Sequence, residues 1–113
     1  MRPLTYIRRV IDPKWETLIN TPPFPEYTSG HSVASAAAAV VLTSALGDNF
    51  AFDDDTGKGD GLEPRKFASF WEAANQAGIS RLYGGIHFRA AIENGLAQGR
   101  CIGAFTVALK TVR

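Results

Sequence analysis

The longest helical pattern in the chain runs from Ser32 to Leu46 and reads Ser-Val-Ala-Ser-Ala-Ala-Ala-Ala-Val-Val-Leu-Thr-Ser-Ala-Leu. Alanine is the strongest helix former, and Val33, Ala37, Val40, Val41 and Leu42 place apolar groups on more than one side of the helix. Gly47 is a natural stop. A membrane span is the rival reading. The unbroken apolar run reaches about half of the roughly 20 residues a span needs, and serines interrupt it. The pattern predicts a buried central helix packed through small alanines.

The flanking segments are less regular. Leu4 to Ile19 is mixed; Pro3 suits a first helical turn, and Pro13 ends or kinks any helix that reaches it. Thr21 to Pro25 holds three prolines in five residues and should be extended and rigid. Asp48 to Gly61 reads as a polar loop. Beyond it Phe67, Phe70, Trp71 and Ala74 recur at i, i+3, i+4 and i+7, which predicts a second helix from Pro64 to Ala77 with an apolar stripe, ended by Gly78. Tyr83 to Gly85 makes a tight connection. Ile86 to Ala97 reads as a third helix and Ile102 to Val112 as a fourth. No internal repeat occurs, and no period-2 run is long enough to build a sheet. The expected class is all-α, a helical bundle.

Composition narrows the function classes. The 113 residues make one modest domain at most, able to bury roughly two-thirds of the unfolded surface. Twelve Lys plus Arg against eleven Asp plus Glu leave a net charge of +1, so no bulk electrostatic case exists for nucleic acid or an anionic membrane. A single cysteine, Cys101, excludes an internal disulfide framework, and two histidines with one cysteine argue against a four-ligand zinc site. Met1 to Val10 carries three arginines but no apolar core and is not a recognisable signal peptide. The compartment stays open, export included. Asp53, Asp54, Asp55 and Asp60 invite a calcium reading, but the glycine and terminal glutamate of the helix–loop–helix signature fall out of register, and a solvated loop is favoured.

Two segments carry candidate chemistry. Phe24-Pro25-Glu26-Tyr27-Thr28-Ser29-Gly30-His31 stands directly before the alanine-rich helix. A helix N-terminus offers unpaired N–H groups and partial positive charge to an anion. Gly30 admits a ligand close to the backbone, Ser29 offers a hydroxyl, and His31 exchanges a proton near neutral pH. The plainer reading is a helix cap followed by a partly exposed histidine. The second segment, Ser80-Arg81-Leu82-Tyr83-Gly84-Gly85-Ile86-His87, again sets a glycine turn and a histidine before a helix. Arg81 provides a planar fork of donors suited to phosphate-like oxygens. Its plainer alternative is a surface ion pair with Glu72 or Glu93.

Taken together, Ser29-Gly30-His31 after a proline-rich stretch, then Ser80-Arg81, five residues and His87, resemble the signature of the vanadium-dependent haloperoxidase and type 2 phosphatidic acid phosphatase superfamily. Arg2-Pro3 resembles the end of its first motif, Lys, six residues, Arg-Pro. The resemblance spans nearly the whole chain and implies a helical bundle that cages a tetrahedral oxyanion, phosphate or vanadate. It implies oxyanion-binding roles for Arg2, Arg81, Ser29 and the Gly30 N–H. It implies that His87 is the vanadate ligand in a haloperoxidase or the nucleophile in a phosphatase, with His31 as the acid–base group. Fixed positive charge around the equatorial oxygens suits either chemistry.

Three positions depart from the pattern. The signature lysine would lie seven residues before Arg2. Thr28 replaces a proline. Ala91 stands where an aspartate would orient the histidine, leaving the tautomer of His87 to another partner, for which Glu93 is a candidate. Thr21 to Tyr27, with Phe24 seven residues before His31, is similar to the soluble haloperoxidase branch, the chloroperoxidase type above all. Phe24 is placed in the supporting layer of the site. The expected activity is peroxide-dependent halide oxidation at vanadate, with peroxide and halide as small-molecule partners. The alternatives are a soluble acid phosphatase with a phospho-His87 intermediate, which needs no vanadate and takes a phosphate ester, and a non-catalytic oxyanion-binding helical module, which Ala91 and the missing lysine favour. Family members are longer bundles, so residues 1–113 are expected to form the C-terminal part of such a domain, incomplete at the N-terminus. The sequence leaves the halide, the organic substrate and the oligomeric state open.

Overall fold

The computed structural model describes residues 1–110. Four helices dominate: α1 (Pro3–Val10), α2 (Gly30–Leu46), α3 (Phe70–Tyr83) and α4 (Arg89–Ala108). A two-stranded antiparallel hairpin, β1 (Phe52–Asp54) and β2 (Arg65–Phe67), lies between α2 and α3, with a 3₁₀ turn at Lys58–Asp60. The mainly helical class agrees with the sequence reading.

The centre is α2, packed most extensively against α4 and next against α3. Its alanines present a shallow surface, and α4 answers with glycines. Gly95, Gly99 and Gly103 recur every four residues and are buried against α2. A Cβ at Gly103 would lie 2.6 Å from Val40 Cβ, and one at Gly95 would lie 2.9 Å from the Ser29 carbonyl oxygen. At Gly99 it would run into the Val33 carbonyl oxygen. The two helix backbones therefore touch, which only glycine permits here. Arg100 of α4 also lies over the Trp71 ring of α3, 4.6 Å from its centroid.

Three expectations are corrected. The second helix begins at Phe70 rather than Pro64, because Ser69 caps it: the Ser69 hydroxyl accepts from the Glu72 N–H at 3.1 Å, and the Glu72 carboxylate accepts from the Ala68 N–H at 2.6 Å. Phe67 therefore belongs to β2, opposite Phe52, and the two rings pack at 5.4 Å. Phe52 also packs on Phe70 at 5.2 Å, so one aromatic cluster joins hairpin and helix. Asp53 and Asp54 face Lys66 and Arg65 across the hairpin, a favourable pairing of charges. Second, Gly78 does not end α3. It lies inside the helix, where a Cβ would be 3.3 Å from Ile92 Cγ2. Third, the separate helices 86–97 and 102–112 are one helix, Arg89–Ala108; residues 111 and 112 of the second lie outside the described residues.

In the acidic loop, Asp54 accepts from the Thr56 N–H and hydroxyl at 3.1 and 2.6 Å, bonds that hold its carboxyl below its usual range. Among the described residues no helix is long and apolar enough to cross a membrane. The radius of gyration is 16.3 Å, against about 13 Å for a compact chain of this length. Several large apolar side chains, such as Phe105 and Leu109, stand exposed on the outer face of the α4 end.

Candidate functional site

His87 is the most enclosed polar side chain of the site's second segment, 1% exposed. The turn before α4 puts it there. Gly84 and Gly85 reverse the chain after α3, Gly85 with φ 76°, and the Arg81 carbonyl accepts from the N–H groups of Ile86 and His87 at 3.2 and 3.3 Å. Residue 85 must also be small, since a Cβ there would meet the Trp15 ring at 2.8 Å.

Both ring nitrogens of His87 are engaged. Nε2 lies 3.1 Å from an Arg2 guanidinium nitrogen, and Nδ1 lies 3.2 Å from Glu26 Oε1. A guanidinium carries donors only, so Nε2 must accept and the ring proton sits on Nδ1, donated to Glu26. Glu26 Oε1 also accepts from the Phe88 N–H at 2.8 Å. Burial, and after it the nearby Arg2 charge, hold the imidazole below its ordinary pKa of 6.5, with Glu26 opposing, so the environment favours the neutral ring.

Arg2 enters from the N-cap position of α1, where Pro3 starts the helix. Its guanidinium donates to the Phe24 carbonyl at 2.7 and 3.2 Å, to Pro25 at 3.3 Å and to Ile86 at 2.8 Å, and it lies 4.9 Å from the Phe24 ring centroid. The proline-rich segment thus supplies carbonyls that fix Arg2, and the Phe24 ring lies against its guanidinium.

The second group of predicted residues gathers at the start of α2. Ser29 caps this helix and is fully buried. Its Oγ is hydrogen-bonded to the Ser32 hydroxyl at 2.9 Å and accepts from the Ser32 N–H at 3.4 Å. Its N–H donates to the Ala91 carbonyl at 3.0 Å, tying this helix start to the first turn of α4. Gly30 and His31, in the first turn, have no preceding helical carbonyl to bind. A Cβ at Gly30 would meet nothing within 4 Å, so space is open beside it. His31 is exposed, yet partial burial and then the Arg81 charge hold it below the usual histidine pKa. Arg81 donates through Nε to Ser80 Oγ at 3.0 Å and forms no ion pair among the described residues, with Glu72 and Glu93 included.

The structure thus ties Arg2, Phe24 and His87 together by direct contact, and sets His31 within the field of Arg81. Backbone hydrogen bonds link Arg81 to His87 and Ser29 to Ala91. The residue that the sequence reading missed is Glu26. Ala91 is buried and offers a methyl group, and Glu93 is exposed. The carboxylate at Nδ1 comes instead from the segment before α2. The available signal was the need for a carboxylate once position 91 proved to be alanine, together with the one acid that precedes Ser29 in the proline-rich stretch. Among the described residues no three His, Cys, Asp or Glu side chains could share a metal cation. The donors present suit an oxyanion.

A family model described as the VCPO second helical-bundle domain matches residues 5–112. Of solved structures, the first bacterial vanadium-dependent iodoperoxidase is 61% identical with a TM-score of 0.91, over 94% of this chain and 26% of that one. The holo and apo forms of a bacterial vanadium-dependent chloroperoxidase share the fold, each at 17% identity and a TM-score of 0.77. They are matched over 94% of this chain and 29% and 30% of theirs. The chain therefore spans between a quarter and a third of the length of these three structures. No curated protein matches it.

Proposed function

Since the chain belongs to the vanadium haloperoxidase family as a VCPO second helical-bundle domain, we propose that it supplies the oxyanion-holding half of a peroxide-dependent halide-oxidising site. The observation that carries this reading is the setting of His87: a buried imidazole with Nδ1 3.2 Å from the Glu26 carboxylate and Nε2 3.1 Å from the Arg2 guanidinium, which together favour a proton on Nδ1 and a lone pair on Nε2. A nitrogen ligand to an oxyanion-derived centre needs that lone pair.

The donor set fits vanadate. His87 Nε2 would hold it. Arg2 and Arg81 would neutralise its oxygens, and the Ser29 hydroxyl and the Gly30 N–H would donate to it. Vanadate, when bound, supplies a Lewis-acidic centre that takes up hydrogen peroxide and makes its O–O bond open to attack by halide. The protein's own part is positional and protonic. Arg2 is held by three carbonyls, and the donor it now turns to His87 Nε2 is the one that would pass to an oxyanion oxygen when that nitrogen takes the group. His31, whose pKa is held below the usual histidine value, is exposed at the helix start, placed to take a proton from peroxide and return it to a leaving oxygen. Iodide is the first halide to test, because the 61% identical structure is that of an iodoperoxidase.

The test is iodide oxidation by the full-length protein with hydrogen peroxide, with and without added vanadate. Vanadate-dependent oxidation lost in His87→Ala and His31→Ala is the expected result. Hydrolysis of an aryl phosphate lost in the same variants, without halide oxidation, would replace this reading with the acid phosphatase. Absence of both activities would favour the oxyanion-binding module.

A further inference from the structure

Glu26 is the buried acid of the site, 9% exposed, and the proposed halide chemistry gives it no task of its own. Burying a carboxylate is costly unless its oxygens are bonded. Glu26 Oε1 is bonded twice, to His87 Nδ1 at 3.2 Å and to the Phe88 N–H at 2.8 Å. These two donors belong to consecutive residues, so one oxygen fixes both the imidazole and the backbone that carries it into α4. Glu26 is itself held on the segment that Arg2 grips through the carbonyls of Phe24 and Pro25. The ring of His87 is thus clamped between a donor-only group on Nε2 and an acceptor on Nδ1. The α4 first turn provides no substitute, because Ala91 lacks a polar side chain.

We propose that Glu26 is the positioning residue of the site: it holds His87 in the Nδ1–H tautomer and fixes the ring plane, so that the Nε2 lone pair, which accepts from Arg2 in this structure, is available to an oxyanion-derived centre once Arg2 turns that donor to the oxyanion's oxygens. Glu26 does not touch the oxyanion; it acts through His87. The proposal deepens the reading of His87 as the vanadate-holding nitrogen and rests on it.

The test uses full-length protein labelled with ¹⁵N-histidine and compares Glu26→Gln and Glu26→Met. Gln keeps an acceptor at the same reach, and Met keeps the volume without one. Long-range ¹H–¹⁵N spectra read the tautomer directly. Wild type should show a protonated Nδ1 and an unprotonated Nε2 on His87. Glu26→Gln should retain that pattern, and Glu26→Met should lose it. Vanadate affinity, read by titration, should fall about 10–100-fold in Glu26→Met, the range for losing the group that orients a ligating histidine, and much less in Glu26→Gln. A protonated Nε2 in wild type overturns the proposal. So does a folded Glu26→Met with the wild-type tautomer and affinity. Should Glu26→Met not fold, the wild-type and Glu26→Gln spectra still decide. If the tautomer follows Glu26 while wild type binds no vanadate, the positioning role stands and the vanadate reading falls.

Discussion

Replacing Gly99 by alanine tests how the bundle is built. Alanine is normally the better helix residue, by about 1 kcal/mol in a helix interior. Here the added methyl would overlap the Val33 carbonyl oxygen, lie 2.7 Å from Ala36 Cβ and lie 3.0 Å from the Ala37 nitrogen. These are atoms of α2 itself, two of them backbone, and they cannot swing aside. The helices must part along their main contact. Overpacking of this kind costs roughly 1–3 kcal/mol, and it also opens the neighbouring contacts at Gly95 and Gly103. The net expectation is a loss of up to about 2 kcal/mol despite the gain in propensity. In a domain of this size each kcal/mol lost lowers the melting temperature by roughly 5 °C. Gly78→Ala is the control. Its methyl would meet Ile92 Cγ2 at 3.3 Å, a side-chain methyl rather than backbone, so propensity should offset the contact and leave stability unchanged or raised. Circular-dichroism melts of both variants decide the matter. A Gly99→Ala protein as stable as Gly78→Ala would refute the idea that backbone contact between α2 and α4 sets the packing.

The site and the helix caps offer further tests. Arg2→Lys removes a fork that serves three carbonyls and should cost on the order of 3 kcal/mol, read by chemical denaturation. Ser69→Ala removes the α3 cap and should cost about 1 kcal/mol in the same assay. His87 and His31 both have folded pKa values below their ordinary 6.5, so the unfolded chain binds their protons first. Their contribution to stability is therefore complete above pH 6.5 and declines as pH falls below it. Melting temperatures measured from about pH 8 down to about pH 5.5 should drop once the pH passes below the ordinary histidine value, and His87→Gln should flatten that drop. An unchanged slope would contradict the burial of a neutral imidazole.

Much of this architecture is legible in the residues, for identifiable reasons. Helix α2 is readable because its alanine run, its Ser29 cap and its Gly47 stop all agree. The start of α3 is easily misplaced because Phe67, Phe70, Trp71 and Ala74 satisfy a helical period. In fact Phe67 reaches the same aromatic cluster from a strand. The Ser69–Glu72 cap is the signal that corrects the boundary. Glycine misleads twice. In the sequence Gly78 reads as a stop and the region around Gly99 as a break, whereas both are packing surfaces. The spacing of Gly95, Gly99 and Gly103 by four is what marks one continuous helix. In the site, Arg2 and His87 are picked out by motif order and Phe24 by the likeness of its segment to the soluble branch, and the structure puts Arg2 in contact with both others. Glu26 cannot, because its role depends on a contact across 61 residues of sequence.

The central claim is that His87, oriented by its neighbours, holds vanadate. It is tested most directly by titrating vanadate into the full-length protein and into His87→Ala, followed by ⁵¹V resonance or calorimetry. Saturable binding to the wild type, abolished by the substitution, is the expected result. No saturable binding to the wild type, or binding of equal strength to His87→Ala, would contradict it.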